Sequence, residues 1–170
     1  MAVPLDHLRS DDVAHVWPWL QEHLRWHLEH WSSRTGLNWD AEQIERRISE
    51  GRLVQREWSA LLGASAAPDA LVRVLRRGEA PLGIVHAEER PDRYLGLNVG
   101  VLSYLHVAES ARGQGHSAPL VRAAVDWFAE RGVKTAEVFV TAANEAAVRA
   151  YVGGGFSIID HRMLLGIDEL

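Results

Sequence analysis

The sequence contains no cysteine. Disulfides, thiolate metal sites and cysteine nucleophiles are therefore excluded, although the redox compartment stays open. No apolar run approaches the roughly 20 residues that a membrane-spanning helix needs. The opening Met1-Ala2-Val3-Pro4-Leu5-Asp6 has neither the basic region nor the apolar core of a secretory leader. The cytoplasm is the expected location, and no membrane partner is expected. Positive charge is also short: Lys and Arg total 18 against 23 Asp and Glu, a formal net charge of -5. Broad binding to a phosphate backbone needs a basic surface, so no nucleic-acid partner is expected either. Internal repeats and low-complexity linkers are absent as well.

What is there suits one ordinary globular domain, with 170 residues, 47% of them hydrophobic and 24% charged. The pattern predicts a short strand around Ala2 to Leu8. Ser10 or Asp11 caps a helix over residues 11–30, whose Val13, Val16, Trp17, Leu20, Leu24 and Leu28 recur at helical spacing. Asp40 caps a second helix carrying Ile44 and Ile48, which ends near Gly51. Leu53 to Leu62 reads equally as helix or strand, and Gly63 to Asp69 reads as a small-residue loop. Strands follow at Ala70–Arg76 and Leu82–Glu88, joined as a hairpin, and at Val99–Val107, which is apolar on both faces. A helix is expected over Gln114–Glu130, where Pro119 is tolerated near the first turn. The pattern closes with a strand at Ala136–Val140, a short helix at Asn144–Val152 and a strand at Phe156–Leu165. The expectation is a single α+β domain over residues 1–170, helical over 1–65 and sheet-forming over 70–165.

Two clusters carry the chemistry. The first, Arg112-Gly113-Gln114-Gly115-His116-Ser117, lies between a predicted strand and a predicted helix. A helix N-terminus offers backbone donors and a positive dipole end, and glycine lets the backbone approach an anion closely. Arg112 adds charge, while Gln114 and Ser117 add side-chain donors. A plain strand-to-helix turn is the other reading. Neither a nucleotide P-loop nor a dinucleotide fingerprint fits, because the Gly-Lys-Ser/Thr ending and a third glycine at Ala118 are missing. The second cluster is Asn144, Ala147, Tyr151, Gly155 and Phe156. Asn144 is a helix cap, and Tyr151 lies two turns along the same face.

Together, in this order, the two clusters resemble the GCN5-related N-acetyltransferase (GNAT) superfamily. The second matches every fixed place of the pattern Asn-x-x-Ala-x-x-x-Tyr-x-x-x-Gly-Phe. In the first, Arg112, Gly115 and Ser117 occupy the places of Gln/Arg-x-x-Gly-x-Gly/Ala, with Ser117 a departure and His116 where an apolar residue is common. The fold implied is α+β, a mixed and mainly antiparallel sheet flanked by helices in three α/β/α layers, opened near its middle to admit acetyl-CoA. The resemblance implies pyrophosphate contacts from Arg112, Gly113, Gln114, Gly115, His116 and Ser117. It implies pantetheine contacts from the backbone of Leu105 and Val107, a cofactor contact from Asn144, and a Tyr151 that binds the donor and protonates the leaving thiolate. A phenol with pKa near 10 suits a thiolate of similar basicity, although Tyr151 also reads as a core aromatic.

The activity implied is direct transfer of an acetyl group from acetyl-CoA to a primary amine of a small molecule or peptide, with no metal required. Transfer of another acyl group and a non-catalytic acyl-CoA-binding module are the alternatives. Many family members use a carboxylate base on the central strand, but the corresponding position here is Val101. Tyr104, His106, Glu88 and Glu137 are candidates, and attack by an already neutral amine is another route, so no base is assigned. Trp17, Trp19, Trp26, Trp31, Trp39 and Trp58 crowd the N-terminal third. They suit a substrate wall, a homodimer interface or ordinary core packing. His23, His27 and His30 share a helical face with metal-ligand spacing, yet no further ligand is evident and a solvated face explains them as well.

Overall fold

The computed structural model describes residues 5–160 and Met163. The described residues fall into two compact units, one built from Asp11–Ala60 and the other from Leu61–Ile158 with the strand Leu5–Asp6.

The first unit is helical. A 3₁₀ turn at Ser10–Asp12 leads into α1 (Val13–Arg34), followed by α2 (Ala41–Glu50). Asp40 begins α2 with a capping box: its carboxylate accepts from Gln43 N at 2.8 Å, and the Gln43 side chain accepts from Asp40 N at 2.9 Å. Val16 and Leu20 of α1 and Ile44 and Ile48 of α2 are buried, and the two helices pack on each other. Arg25 Nε donates to Glu45 Oε1 at 2.6 Å across this pair. That bond holds the Glu45 carboxyl below its ordinary value.

The second unit is a five-stranded sheet in the order β1 (Leu5–Asp6), β2 (Ala70–Arg77), β3 (Ala80–Asp92), β4 (Leu97–Val107) and β5 (Ala136–Glu137). Every pairing is antiparallel except β4 with β5. Gly78, at φ +61°, makes the tight β2–β3 connection that a residue with a Cβ would resist. Helix α4 (Ser117–Glu130) packs on β2, β3 and β4 through buried Leu120, Val121, Ala124 and Phe128, and α5 (Glu145–Gly153) packs on α4. The sheet accepts α4 closely because two strand positions lack a side chain. A Cβ on Gly83 would lie 2.7 Å from His106 O and 3.0 Å from Leu120 Cδ1, and one on Gly100 would lie 2.6 Å from the Phe128 ring. Arg76, 2% exposed, sets its Nε 3.4 Å from Asp6 Oδ2 and ties β1 to the sheet.

Three local expectations change. The ambiguous stretch is α3 (Leu53–Ala66), and it runs through most of the expected small-residue loop. Alanine favours helix and one glycine is tolerated, so the helix ends only where Pro68 disfavours helical geometry in the residue before it. The strand expected at Ala136–Val140 stops at Glu137. Residues 156–160 of the strand expected at Phe156–Leu165 are not extended into the sheet; of the remainder only Met163 is described, outside any strand. Ile158 and Ile159, 70% and 84% exposed, have no neighbouring strand to face among the described residues. β-propensity without a partner does not make a strand.

Gly83→Ala is expected to destabilise the protein by about 1–3 kcal/mol, because the backbone oxygen beside it has nowhere to go. Gly63→Ala, in an exposed turn of α3 where nothing lies within 4 Å, is expected to add about 0.5–1 kcal/mol. Chemical denaturation of the two variants checks both signs.

Candidate active site

The site begins with the backbone of β4. Strand β3 pairs with it along its whole length, from Asp92↔Leu97 to Gly83↔Val107. On its other side β5 meets it only at Gly100↔Ala136 and Val101↔Glu137. Past Val101, the β5 side of β4 carries no strand among the described residues. Side of pairing alternates along a strand. Ala108 N donates to Leu82 O at 2.8 Å, towards β3, so Val107 and Leu105 turn their amides and carbonyls towards the open side. A register shift opposite His86 and Ala87 makes Ser103 an extra residue, a β-bulge at the mouth of this gap.

The end of β4 leads through a 3₁₀ turn, Glu109–Ala111, into the glycine loop. Gly113 and Gly115 hold φ of +75° and +78°, and a Cβ at either would meet nothing within 4 Å. Glycine is needed there for the backbone angle rather than for space. Helix α4 then starts at Ser117 without a side-chain cap and without an acidic residue in its first turn. Its leading amides and dipole end suit an anion. Arg112 Nε donates to Val107 O at 3.1 Å, and Gln114 Nε2 donates to Ser110 O at 3.1 Å. The His116 ring is tucked in, with a buried Nε2 that has no hydrogen-bond partner among the described residues. One contributor escaped the sequence reading. Arg77, at the end of β2, donates to Gln114 Oε1 at 3.3 Å and so adds a second guanidinium beside the loop. The β2–β3 hairpin spacing was the only available signal.

Tyr151 sits on α5, 8% exposed, with the Phe156 ring edge-on at 6.1 Å. Gly154 lets this segment approach α4, since a Cβ there would lie 2.4 Å from Val121 Cγ1. Burial pushes the Tyr151 phenol up to about 12, so it remains protonated well beyond neutral pH. Asn144 Oδ1 accepts from Ala147 N at 3.2 Å and caps α5, which leaves its side-chain NH₂ for another contact.

The sequence of the protein matches the model of the acetyltransferase (GNAT) family over residues 20–156. The chain belongs to this family. Its fold is similar to the PaiA N-acetyltransferase of Thermoplasma acidophilum in complex with coenzyme A, at 17% identity over 95% of this chain and 94% of that one, with a TM-score of 0.68. It is also similar to the aminoglycoside 6'-N-acetyltransferase AAC(6')-IG from Acinetobacter haemolyticus, at 14% identity over 95% of each chain and TM-score 0.64. A third likeness is to AAC(6')-Iy in complex with the bisubstrate analog CoA-S-monomethyl-acetylneamine, at 14% identity over 96% of this chain and 97% of that one, TM-score 0.66. At such identities the likeness is one of fold. None of the curated proteins matches the sequence.

The strand register brings several titratable residues together around Val101. Glu88 of β3 and Glu137 of β5 both lie opposite Val101, on the same face of the sheet. Ser103 Oγ donates to Glu88 Oε1 at 2.7 Å, and Arg90 Nη2 donates to Glu137 Oε1 at 2.6 Å. Tyr104 and His106 are buried with their rings stacked at 6.3 Å. His86, opposite Tyr104, was not singled out from the sequence. Its Nε2 is buried without a partner among the described residues, and burial pulls its pKa below the ordinary histidine value. Only the strand register reveals it.

The N-terminal aromatic residues stack along α1. Ring pairs form at His23–His27 (6.2 Å), Trp26–His30 (5.5 Å) and His27–Trp31 (5.6 Å). Arg47 lies over Trp39 at 3.7 Å. Among the described residues no three His, Asp or Glu side chains converge to hold a metal, and no helix is long and apolar enough to cross a membrane.

Tyrosinate absorbance recorded as pH rises, wild type minus Tyr151→Phe, is expected to show a midpoint near 12 rather than near 10. Because burial raises the folded-state value above the unfolded one, the stability from this phenol is complete below about pH 10 and is lost as pH climbs towards 12.

Proposed function

We propose that this protein is an N-acetyltransferase acting as one domain of residues 1–170 in the cytoplasm. It transfers the acetyl group of acetyl-CoA to a primary amine bound in the same ternary complex, without a metal. The observation that carries the reading is the side of β4 that no strand covers among the described residues, leading directly into an uncapped, glycine-initiated helix. An extended amide-bearing arm followed by a diphosphate is the ligand shape that fits both features. The arm pairs with Leu105 and Val107 as a missing strand would. The diphosphate takes the amides from Gly113 to Ser117, with charge from Arg112 and Arg77.

In this reading Gln114, His116 and Ser117 shape the loop, and the Asn144 side-chain NH₂ contacts the donor. The amine attacks the acetyl carbonyl, whose oxygen gathers charge that backbone N–H groups beside the Ser103 bulge stabilise. Tyr151 then gives its proton to the sulfur as the C–S bond breaks. Solved neighbours of the same fold carry coenzyme A, and one carries an aminoglycoside-like bisubstrate analog. These neighbours support an amine acceptor and make aminoglycosides the first test class. The absence of cysteine supports direct transfer over a covalent acyl-enzyme. A homodimer suits the aromatic content of the helical region.

Calorimetry is expected to give micromolar binding of acetyl-CoA, displaced by CoA. Tyr151→Phe is expected to cut thiol release on an amine panel (aminoglycosides, polyamines, amino acids) by about 10- to 100-fold while leaving acetyl-CoA affinity within about threefold. Equal loss of both quantities favours a pure acyl-CoA-binding module, and absence of binding rejects the family's chemistry for this chain.

A further inference from the structure

Resting on the acetyltransferase reading above, we propose that Glu88 of β3 is the general base of this enzyme, replacing from the neighbouring strand the carboxylate that Val101 cannot provide. The register carries the assignment. Side chains directly opposite on paired strands point to the same face with Cβ atoms about 5 Å apart. Glu88 lies opposite Val101, so its carboxylate reaches the space above residue 101 from the side.

The surroundings separate Glu88 from its rivals. Glu137 flanks Val101 from β5, but Arg90 holds its carboxylate at 2.6 Å in an ion pair that proton transfer would have to break. Tyr104 and His106 are 9% and 8% exposed and committed to each other's rings. His86 lies past the bulge, opposite Tyr104 rather than Val101. Glu88 is half-buried, and Ser103 Oγ, on the bulge itself, fixes one of its oxygens at 2.7 Å. The second oxygen keeps lone pairs for the incoming amine or for a bridging water. The charged and titratable neighbours on this face are His86, Arg90, Tyr104, His106 and Glu137.

The substrate ammonium loses one proton to Glu88, and the freed nitrogen lone pair forms the C–N bond to the acetyl carbon. The C–S bond breaks, and the electron pair leaves on sulfur. Tyr151 protonates that sulfur and regains a proton from the nitrogen as the amide forms. One proton, carried by Glu88, is released to solvent.

Steady-state kinetics with acetyl-CoA and three acceptors, neamine, spermidine and hydroxylamine, tests the assignment on wild type, Glu88→Gln, Glu88→Asp and Glu137→Gln. At pH 7, Glu88→Gln is expected to lower kcat/KM for neamine and spermidine by about 100-fold. Acetyl-CoA affinity and Tm should stay close to wild type, and Glu88→Asp should recover part of the loss. The defect should shrink at high pH, and it should be small with hydroxylamine, which is already neutral and needs no base. Glu137→Gln should stay within about threefold of wild type. A Glu88→Gln enzyme of normal activity overturns the assignment, as does a loss that is the same at every pH and with every acceptor. Wild-type protein that binds acetyl-CoA but acetylates none of the three acceptors also overturns it. Wild-type protein that binds no acetyl-CoA overturns the acetyltransferase reading instead, a result visible before any variant is made.

Discussion

Backbone hydrogen bonding along β4 is the constraint on which the rest of the sheet unit depends. A buried strand must pair its amides and carbonyls on both sides, and unpaired ones cost free energy comparable to a lost hydrogen bond. Strand β3 lies along one side of β4 from Leu97 to Val107, whereas among the described residues β5 lies along the other only at Gly100 and Val101. The remaining side, at Leu105 and Val107, is met in part by Arg112 Nε on Val107 O. Arg112 thereby joins the strand end to the glycine loop. The open side, the bulge at Ser103 and the start of α4 are consecutive parts of one chain segment.

Around that segment, burial sets the chemical state of the side chains. Tyr151 is pushed up to about 12 by desolvation, which keeps its phenol protonated at neutral pH. His86 is pulled down by the same cause, which keeps its ring neutral. The close approach of α4 to the sheet and to α5 rests on glycines at 83, 100 and 154, where any side chain would strike α4 or a strand.

The helical unit follows other rules. Its α1–α2 pair is fixed by buried Val16, Leu20, Ile44 and Ile48 and by Arg25 on Glu45. Its histidines and tryptophans, at metal-like or wall-like spacing in the sequence, stack on one another four residues apart. Such i,i+4 contacts follow from helix geometry and carry no ligand information by themselves.

The sequence by itself determined the local features whose signals are local. Asp40 and Asn144 cap their helices because a short acceptor side chain meets orphan amides two or three residues away. Gly113 and Gly115 take positive φ because only glycine does so cheaply. The spacing of Tyr151 from Asn144 placed it on α5 before any tertiary contact was known. The pairing of β2 with β3 was also legible, since the short turn between them makes a hairpin. The tertiary structure alone decided what depends on register and partners. The gap beside β4 opens where the chain leaves the sheet after Glu137, and among the described residues no strand fills it. Glu88, Glu137 and His86 acquired meaning only when pairing set them against Val101 and Tyr104. A strand's side chains alternate with period two whatever lies beside it, so composition can nominate a carboxylate, but only the neighbouring strand fixes what it faces.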